Sequence, residues 1–239
     1  MVRTLEAAAA WVDEVGLALL FPKPDVVLPS LWEQVNGSPA PDWAVRDKEG
    51  NFVHWSEPLS FLWGAKDDLP AAGLVCVGKH VARVATCVAP RLLPLLVAAA
   101  EPAEPSVDEE AIAAAIESEG PLTGPQLRGL TGLSKKEVDK TVALLHRRLV
   151  LTNSHLADQG AGWGAIAHDL LARKWAVHDL PPRDEARRDL ALLVLDLAGE
   201  LTAADLAGPF GWWRKDAAAL LESVASGRDE EGFRIWAPL

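Results

Sequence analysis

The stretch EGPLTGPQLRGLTGLSKKEVDKTVALL, residues 119–145, returns in diverged form as AGELTAADLAGPFGWWRKDAAALLESV, residues 198–224. In this one register, an offset of 79 residues, Gly120, Leu122, Thr123, Leu127, Gly129 and Gly132 meet Gly199, Leu201, Thr202, Leu206, Gly208 and Gly211. Identities concentrated at glycines and apolar positions mark one supersecondary unit used twice.

Each copy reads as a helix, a turn ending in Gly-x-Leu-Thr, a short second helix, a glycine-containing turn and a third helix. Thr123 with Gln126, and Ser134 with Glu137, have the spacing of capping boxes, which place the starts of the second and third helices. After the third helix, LVLTNSHLADQGAGWGAI (149–166) is β-rich on both sides of a glycine loop and suits a hairpin wing. The second copy closes on VASGRDEEGFRIWAPL (224–239), a polar loop and a last strand FRIW, and HDLPPRDEA (178–186) is the joint between the copies. The expected fold is α+β and mainly helical: tandem winged-helix (helix-turn-helix) domains with short β-hairpin wings.

The remaining N-terminal part is set off by EPAEPSVDEE (101–110), whose prolines and acidic residues read as a linker into the next helix. Within it we expect helices over 5–20, at PSLWEQV (29–35) and near EPLSFLWGA (57–65), then a hairpin in GLVCVGKHVARVATCV (73–88) turning at Gly78-Lys79. Three helices and a hairpin repeat the winged-helix order, although no residues match the other copies. The expected units are 1–105, an N-terminal α+β unit readable as a diverged winged helix; 106–182, a winged helix with a basic third helix; and 183–239, its repeat.

Composition bounds the functional classes. At 239 residues and 49% hydrophobic, the chain has ample material for folded cores. Glu6, Asp13 and Glu14 interrupt the apolar N-terminal run, so a helix is expected there and no signal peptide. CVAPRLLPLLVAAA (87–100) is too short for a membrane span and holds Arg91 and two prolines, so no membrane association is expected. Two cysteines, Cys76 and Cys87, exclude a disulfide scaffold and fit a reducing cytoplasm. They lie too far apart for a CxxC ligand pair, the six histidines lack His-Glu-x-x-His spacing, and GAGWG (160–164) lacks the lysine of a phosphate loop; neither metal nor cofactor is expected.

The formal net charge is -11, the wrong sign for approaching phosphates. Its distribution is uneven: residues 101–119 carry seven acidic side chains and no Lys or Arg, whereas residues 120–150 carry six Lys or Arg against two acidic side chains. On a helical wheel, Val138, Val142, Leu145 and Leu149 make a buried stripe, with Lys136, Lys140 and Arg147 roughly opposite. Lys135, Arg148 and, when protonated, His146 add charge near the ends. The candidate nucleic-acid-binding residues are therefore Lys135, Lys136, Lys140, Arg147 and Arg148. In the second copy the stripe becomes Lys215, Ala219 and Ser226, so that copy kept the fold without the basic face. Two readings of the stripe stand: a phosphate-contacting face, and a solvated one whose lysines pair with Glu137 or Asp139. With no Asn or Gln over 134–150, any DNA contact would be mostly backbone-directed. Trp212-Trp213 admits base stacking or, more economically, packing in the seam between the copies.

These tandem units, behind an N-terminal unit containing WSEPLSFLWGAKDDLP (55–70) and GLVCVGKHVARVATCVAPRLLP (73–94), resemble the winged-helix DNA glycosylases of the AlkZ family, particularly their bacterial AlkZ-related relatives. The resemblance implies excision of alkylated or crosslinked bases, with a Gln-x-Gln or Gln-x-Asp motif positioning water. Here Gln34, Gln126 and Gln159 are followed two residues on by Asn36, Arg128 and Ala161, so the motif is absent and the activity does not carry over. The leading expectation is a non-catalytic protein binding duplex DNA weakly. The alternatives are a module for binding a protein partner or itself, and a glycosylase with a rearranged site.

Overall fold

The computed structural model describes residues 2–158, 164–224, 227–228 and 233–234. The fold is mixed α/β, with helices packed on four small antiparallel sheets. The first unit runs α1 (Leu5–Val15), β1 (Leu17–Leu19), α2 (Leu31–Asn36), β2 (Ala44–Arg46), β3 (Phe52–Trp55), α3 (Glu57–Ala71), β4 (Cys76–Gly78) and β5 (Thr86–Val88). Then α4 (Leu93–Ala99) leads to the second: α5 (Val107–Glu119), β6 (Leu122–Thr123), α6 (Gly124–Thr131), α7 (Lys135–Arg147), β7 (Leu151–Ala157) and β8 (Ala165–Leu170). The short α8 (Leu171–Lys174) joins this to α9 (Arg183–Ala198), β9 (Glu200–Leu201), α10 (Ala203–Phe210), α11 (Arg214–Val224), β10 (Gly227–Arg228) and β11 (Phe233–Arg234).

Three three-stranded sheets share one strand order. It is β1-β5-β4 in the first unit, β6-β8-β7 in the second and β10-β11-β9 in the third, so the last strand always lies between the other two. The 79-residue offset is kept in three dimensions. The bounds of α6 and α10 differ by that offset at both ends, and the starts of α7 and α11 differ by it too. The causes are local. Thr123 Oγ1 and N both donate to Gln126 Oε1 at 2.9 and 2.8 Å, and Thr202 makes the same pair of bonds to Asp205 Oδ2 at 2.7 Å each. Ser134 N donates to Glu137 at 2.8 Å and fixes the start of α7. The helices before the turns stop at Gly132 and Gly211, at φ 73° and 74°, where a side chain would be strained.

The first unit departs from expectation in two places. The first helix ends at Val15, not near 20, because Gly16 caps it and Leu17–Leu19 pairs with Thr86–Val88. The hairpin does not turn at Gly78-Lys79: Gly78 ends β4, and residues 79–85 form the loop, with Ala82 and Arg83 at positive φ. The hairpin β2-β3 was not expected. Its turn is built by Asp47, whose carboxylate accepts from the Glu49 and Asn51 amides at 3.0 and 2.8 Å. Ser30 caps α2 with Glu33 in a capping box. Part of the wing loop, 159–163, and residues 235 and 236 of the expected last strand lie outside the described residues.

The second unit has its own core around Ile112, Ile116, Leu127, Val138, Val142 and Leu145. The third shares a core with one face of the first sheet and with α4, joining Leu17, Cys76 and Val88 to Leu190, Leu206 and Leu221. Trp212 closes that seam: it is buried, its indole N–H donates to the Ala99 carbonyl at 3.1 Å, and the Arg187 guanidinium lies over its ring at 5.0 Å. Trp213 is exposed, so the tryptophan pair is split between packing and solvent.

Gly132→Ala and Gly211→Ala should each cost about 1–2 kcal/mol, with Asn at either site recovering part of the loss. Chemical denaturation that found either alanine neutral would show that the turn does not depend on left-handed backbone at that glycine.

Candidate nucleic-acid interface

The candidate cations on α7 end up in different places. Lys136 and Lys140 are exposed, and no ion-pair partner is found for either among the described residues. Lys135 is exposed but bonded to Asp139 at 2.6 Å, one turn on. Arg147 does not face outward. It is half-buried with its guanidinium against Gly211 of the third unit, and burial together with the nearby Arg83 lowers its pKa. Arg148 is structural: its Nη1 lies 2.9 Å from Glu109 Oε1, a buried carboxylate, in an ionic contact outside hydrogen-bond geometry, and donates to the Glu104 carbonyl at 3.0 Å.

A second basic feature lies where the first and second units meet. A cleft of about 590 Å³ opens between β4, α3, α6, α7 and the β7-β8 hairpin. Lys66, Lys79, Arg128 and Lys135 line it against one carboxylate, Asp139, and no residue of the acidic 101–119 segment does. Lys66 is paired with Asp67, whereas Lys79 and Arg128 have no ion-pair partner among the described residues. Sequence reasoning counted Arg128 in the basic segment but assigned Lys66, Lys79 and Arg128 no role. They come from three elements, so no helical or strand period links them.

The cleft floor is built from histidines. His80 Nδ1–H donates to the His146 carbonyl at 2.8 Å; a carbonyl only accepts, so the His80 proton sits on Nδ1 and Nε2 faces Cys76 Sγ at 3.4 Å. His146 Nε2 lies 3.0 Å from His168 Nδ1, and His146 Nδ1 is buried with no partner among the described residues. Gly78 makes room for this arrangement: a Cβ there would come within 2.5 Å of His80 Nε2 and 2.6 Å of His146 Nδ1. Thr152 on β7 donates to the Val77 carbonyl at 3.2 Å, fastening the second unit to the first sheet. Burial lowers the pKa of His80 and of His168 to about 4, the Lys79 charge reinforcing the latter; burial and the neighbouring His80, His168 and Lys79 hold His146 well below its ordinary value. Both buried thiols, Cys76 and Cys87, are pushed up to about 12 by burial and remain unbridged. Among the described residues no group of three or more His, Cys, Asp or Glu side chains has the geometry to hold a metal ion.

The AlkZ-related family profile matches residues 2–206, through the first two units and into α10. The chain belongs to the AlkZ-related family. No curated protein and no solved structure matches it. Of the glutamines considered as its catalytic motif, Gln126 is held as the capping partner of Thr123, and Gln159 lies outside the described residues. No described helix is long and apolar enough to cross a membrane.

Two expectations separate structural from exposed cations. Arg148→Ala leaves the Glu109 carboxylate buried without its counter-charge and should destabilise the protein by about 3 kcal/mol, whereas Lys136→Ala and Lys140→Ala should each stay within about 0.5 kcal/mol of the parent in urea titrations. The histidines set a pH dependence. His80 and His168 protonate near 6.5 when unfolded but near 4 when folded, so the unfolded state binds more protons in that window. Stability should be full above about pH 6.5 and fall as the pH drops toward 4, by about 1 kcal/mol per pH unit for each histidine. His80→Asn should remove one proton's worth of that slope; an unchanged slope would mean that His80 is already charged in the folded protein.

Proposed function

We propose that this chain is a three-part winged-helix protein, with units at 1–105, 106–182 and 183–239, that binds duplex DNA weakly through phosphate contacts and without catalysing base excision. The carrying observation is the convergence of Lys66, Lys79, Arg128 and Lys135 on one cleft with a single carboxylate. Winged-helix architecture is supported by the shared strand order of the three sheets and by the short α6-turn-α7 pairing. Membership of the AlkZ-related family supports a role connected with DNA repair, and DNA as a partner.

The cations suit backbone recognition. Lys79 and Arg128 line a cleft whose α6 end presents Gly124 and Pro125, and the exposed Lys136 and Lys140 stand on α7 outside that lining. Arg147 and Arg148 are engaged within the protein, which leaves no arginine of α7 for bidentate guanine readout. The reading is therefore of binding that is salt-sensitive and tolerant of sequence. Excision does not follow, because no glutamine of the chain has Gln or Asp two residues beyond it.

A protein-interaction module is the second reading, favoured by the net charge of -11. Its strongest support, the acidic 101–119 segment, is weakened by internal pairing: Glu101 binds Arg183 and Arg187, and Glu109 binds Arg148.

Anisotropy of labelled duplex DNA across a salt series decides between them. Binding should weaken steeply with salt, and Lys79→Ala with Arg128→Ala should flatten the log-log slope by about two, one for each phosphate that is no longer neutralised. Lys136→Ala with Lys140→Ala should flatten it further. A duplex that does not bind even at low salt sinks the DNA reading and leaves the protein-interaction one.

A further inference from the structure

The β2-β3 hairpin is an insertion peculiar to the first unit: only residues 132–134 and 211–213 stand at the same place in the other two. It is a two-stranded sheet with no third strand among the described residues, and all four residues of β3 are exposed, Phe52, Val53 and Trp55 among them. Against it lies an open pocket of about 850 Å³ walled by Phe21, Trp43, Trp55, Leu59 and Trp63. The three indoles keep 48%, 54% and 51% of their surface exposed, an arrangement that costs hydration free energy unless something covers it.

The pocket is built rather than loose. Phe21 packs on the buried Trp32 at 5.8 Å and on Trp43 at 6.1 Å, and Trp32 is pinned by its indole N–H bond to the Ala40 carbonyl at 3.0 Å. The Ser56 amide donates to the Trp43 carbonyl at 2.9 Å, tying the hairpin to the start of α3, which carries Trp63. Among the described residues no charged side chain lines the pocket, and Ser60 supplies the single hydroxyl. Such walls suit a flat ring with apolar faces and do not suit an ion.

The pocket also lies beside the basic cleft. The Lys66 ammonium lines the cleft and stands 4.8 Å over the Trp63 ring that lines the pocket, and the neighbouring residues Leu20 and Phe21 line one each. A planar ring held here is thus one side chain away from the cation-lined cleft, where Lys66 is shared with Asp67 and Lys79 and Arg128 have no ion-pair partner among the described residues. Polynucleotides join those two chemistries at that spacing, and an aromatic platform beside a cationic track is how single strands are held without sequence preference.

We propose that this tryptophan pocket receives an unpaired nucleobase of a DNA strand whose phosphates run along the Lys66 side of the cleft. The inference rests on the phosphate-binding reading of that cleft. It adds that unpaired DNA is preferred over intact duplex, since a paired base has no free face to offer the indoles.

The test compares fluorescein-labelled oligothymidylate, a strand of abasic residues of the same length, and duplex. Oligothymidylate should bind more tightly than either of the others. Trp55→Ala and Trp63→Ala should each weaken oligothymidylate by about 5- to 150-fold and leave duplex affinity and salt slope unchanged. Trp55→Phe keeps an aromatic face and should retain most of the affinity, which separates loss of stacking from a folding defect. If the abasic strand binds as well as oligothymidylate, the base pocket is overturned while the phosphate reading survives. If no strand binds at low salt, both fail. A parent protein that sediments as a dimer, with Trp55→Ala a monomer and DNA affinity unaltered, would make the pocket a self-association face and likewise overturn the proposal.

Discussion

The bond from His80 Nδ1–H to the carbonyl of His146 is the tie on which the geometry of the cleft depends. It joins the loop after β4 to the last turn of α7, across 66 residues of sequence, and does so where water is excluded. The His146 carbonyl, in the last turn of the helix, accepts from the Leu149 amide at 3.0 Å, and its second lone pair takes the His80 proton. Because burial keeps His80 neutral, the donor is fixed on Nδ1 across the ordinary pH range. Thr152 on Val77 adds a second buried bond between the same two units, and Gly78 gives both imidazoles their space. Lys79 follows directly in sequence, so the contact that docks the units also carries a cation to the mouth of the cleft.

The third unit has a different task. Its α9 packs on α4, its Arg183 and Arg187 hold Glu101, and its Trp212 and Arg187 both bond the Ala99 carbonyl. The Ala82 amide donates to Pro209 at 2.9 Å, so the loop between β4 and β5 rests on the end of α10. That loop holds the residues at positive φ, Ala82 and Arg83, whose strain needs such support. This copy has Ala219 and Ser226 where the second unit has Lys140 and Arg147, and among the described residues it contributes none to the cleft.

What was legible in the sequence was what is encoded locally. The capping boxes at Thr123 and Ser134 and the glycine stops are short-range chemistry, and the Thr202–Asp205 box found in the structure starts α10 at the matching position of the repeat. The buried stripe Val138, Val142 and Leu145 followed from period alone; that Trp212 is buried was expected, but it packs on α4 and the core of the first unit and not between the two copies. What was not legible required partners distant in the chain. The wheel set Arg147 outward with the lysines, but its guanidinium lies against Gly211, and Arg148, just past the end of α7, meets Glu109; no wheel contains those partners. The first helix was overextended because an apolar run continues past Gly16, and only β5, some seventy residues later, makes Leu17–Leu19 a strand. The hairpin β2-β3 did leave a signal, Asp47 through Asn51 as a turn between AVR and FVHW, in a region whose exposed aromatics mask the usual alternation.

The acidity of the chain and the basicity of its cleft are compatible because electrostatics in salt is short-ranged. At physiological ionic strength the screening length is about 8 Å, so a phosphate at Lys79 or Arg128 responds to the side chains around that cleft far more than to the acidic total. The carboxylates closest to structural arginines are already neutralised in pairs, Glu101, Glu109 and Asp169 each holding at least one guanidinium. The remaining negative charge acts at longer range and opposes approach, most strongly at low salt. An acidic protein of this kind gains little from steering and depends on contacts made at close quarters. On the proposed reading those contacts come from a few cations and, on one flank, from indole faces. Such a set keeps adhesion to duplex weak and leaves any preference between paired and unpaired strands to the uncharged half of the surface.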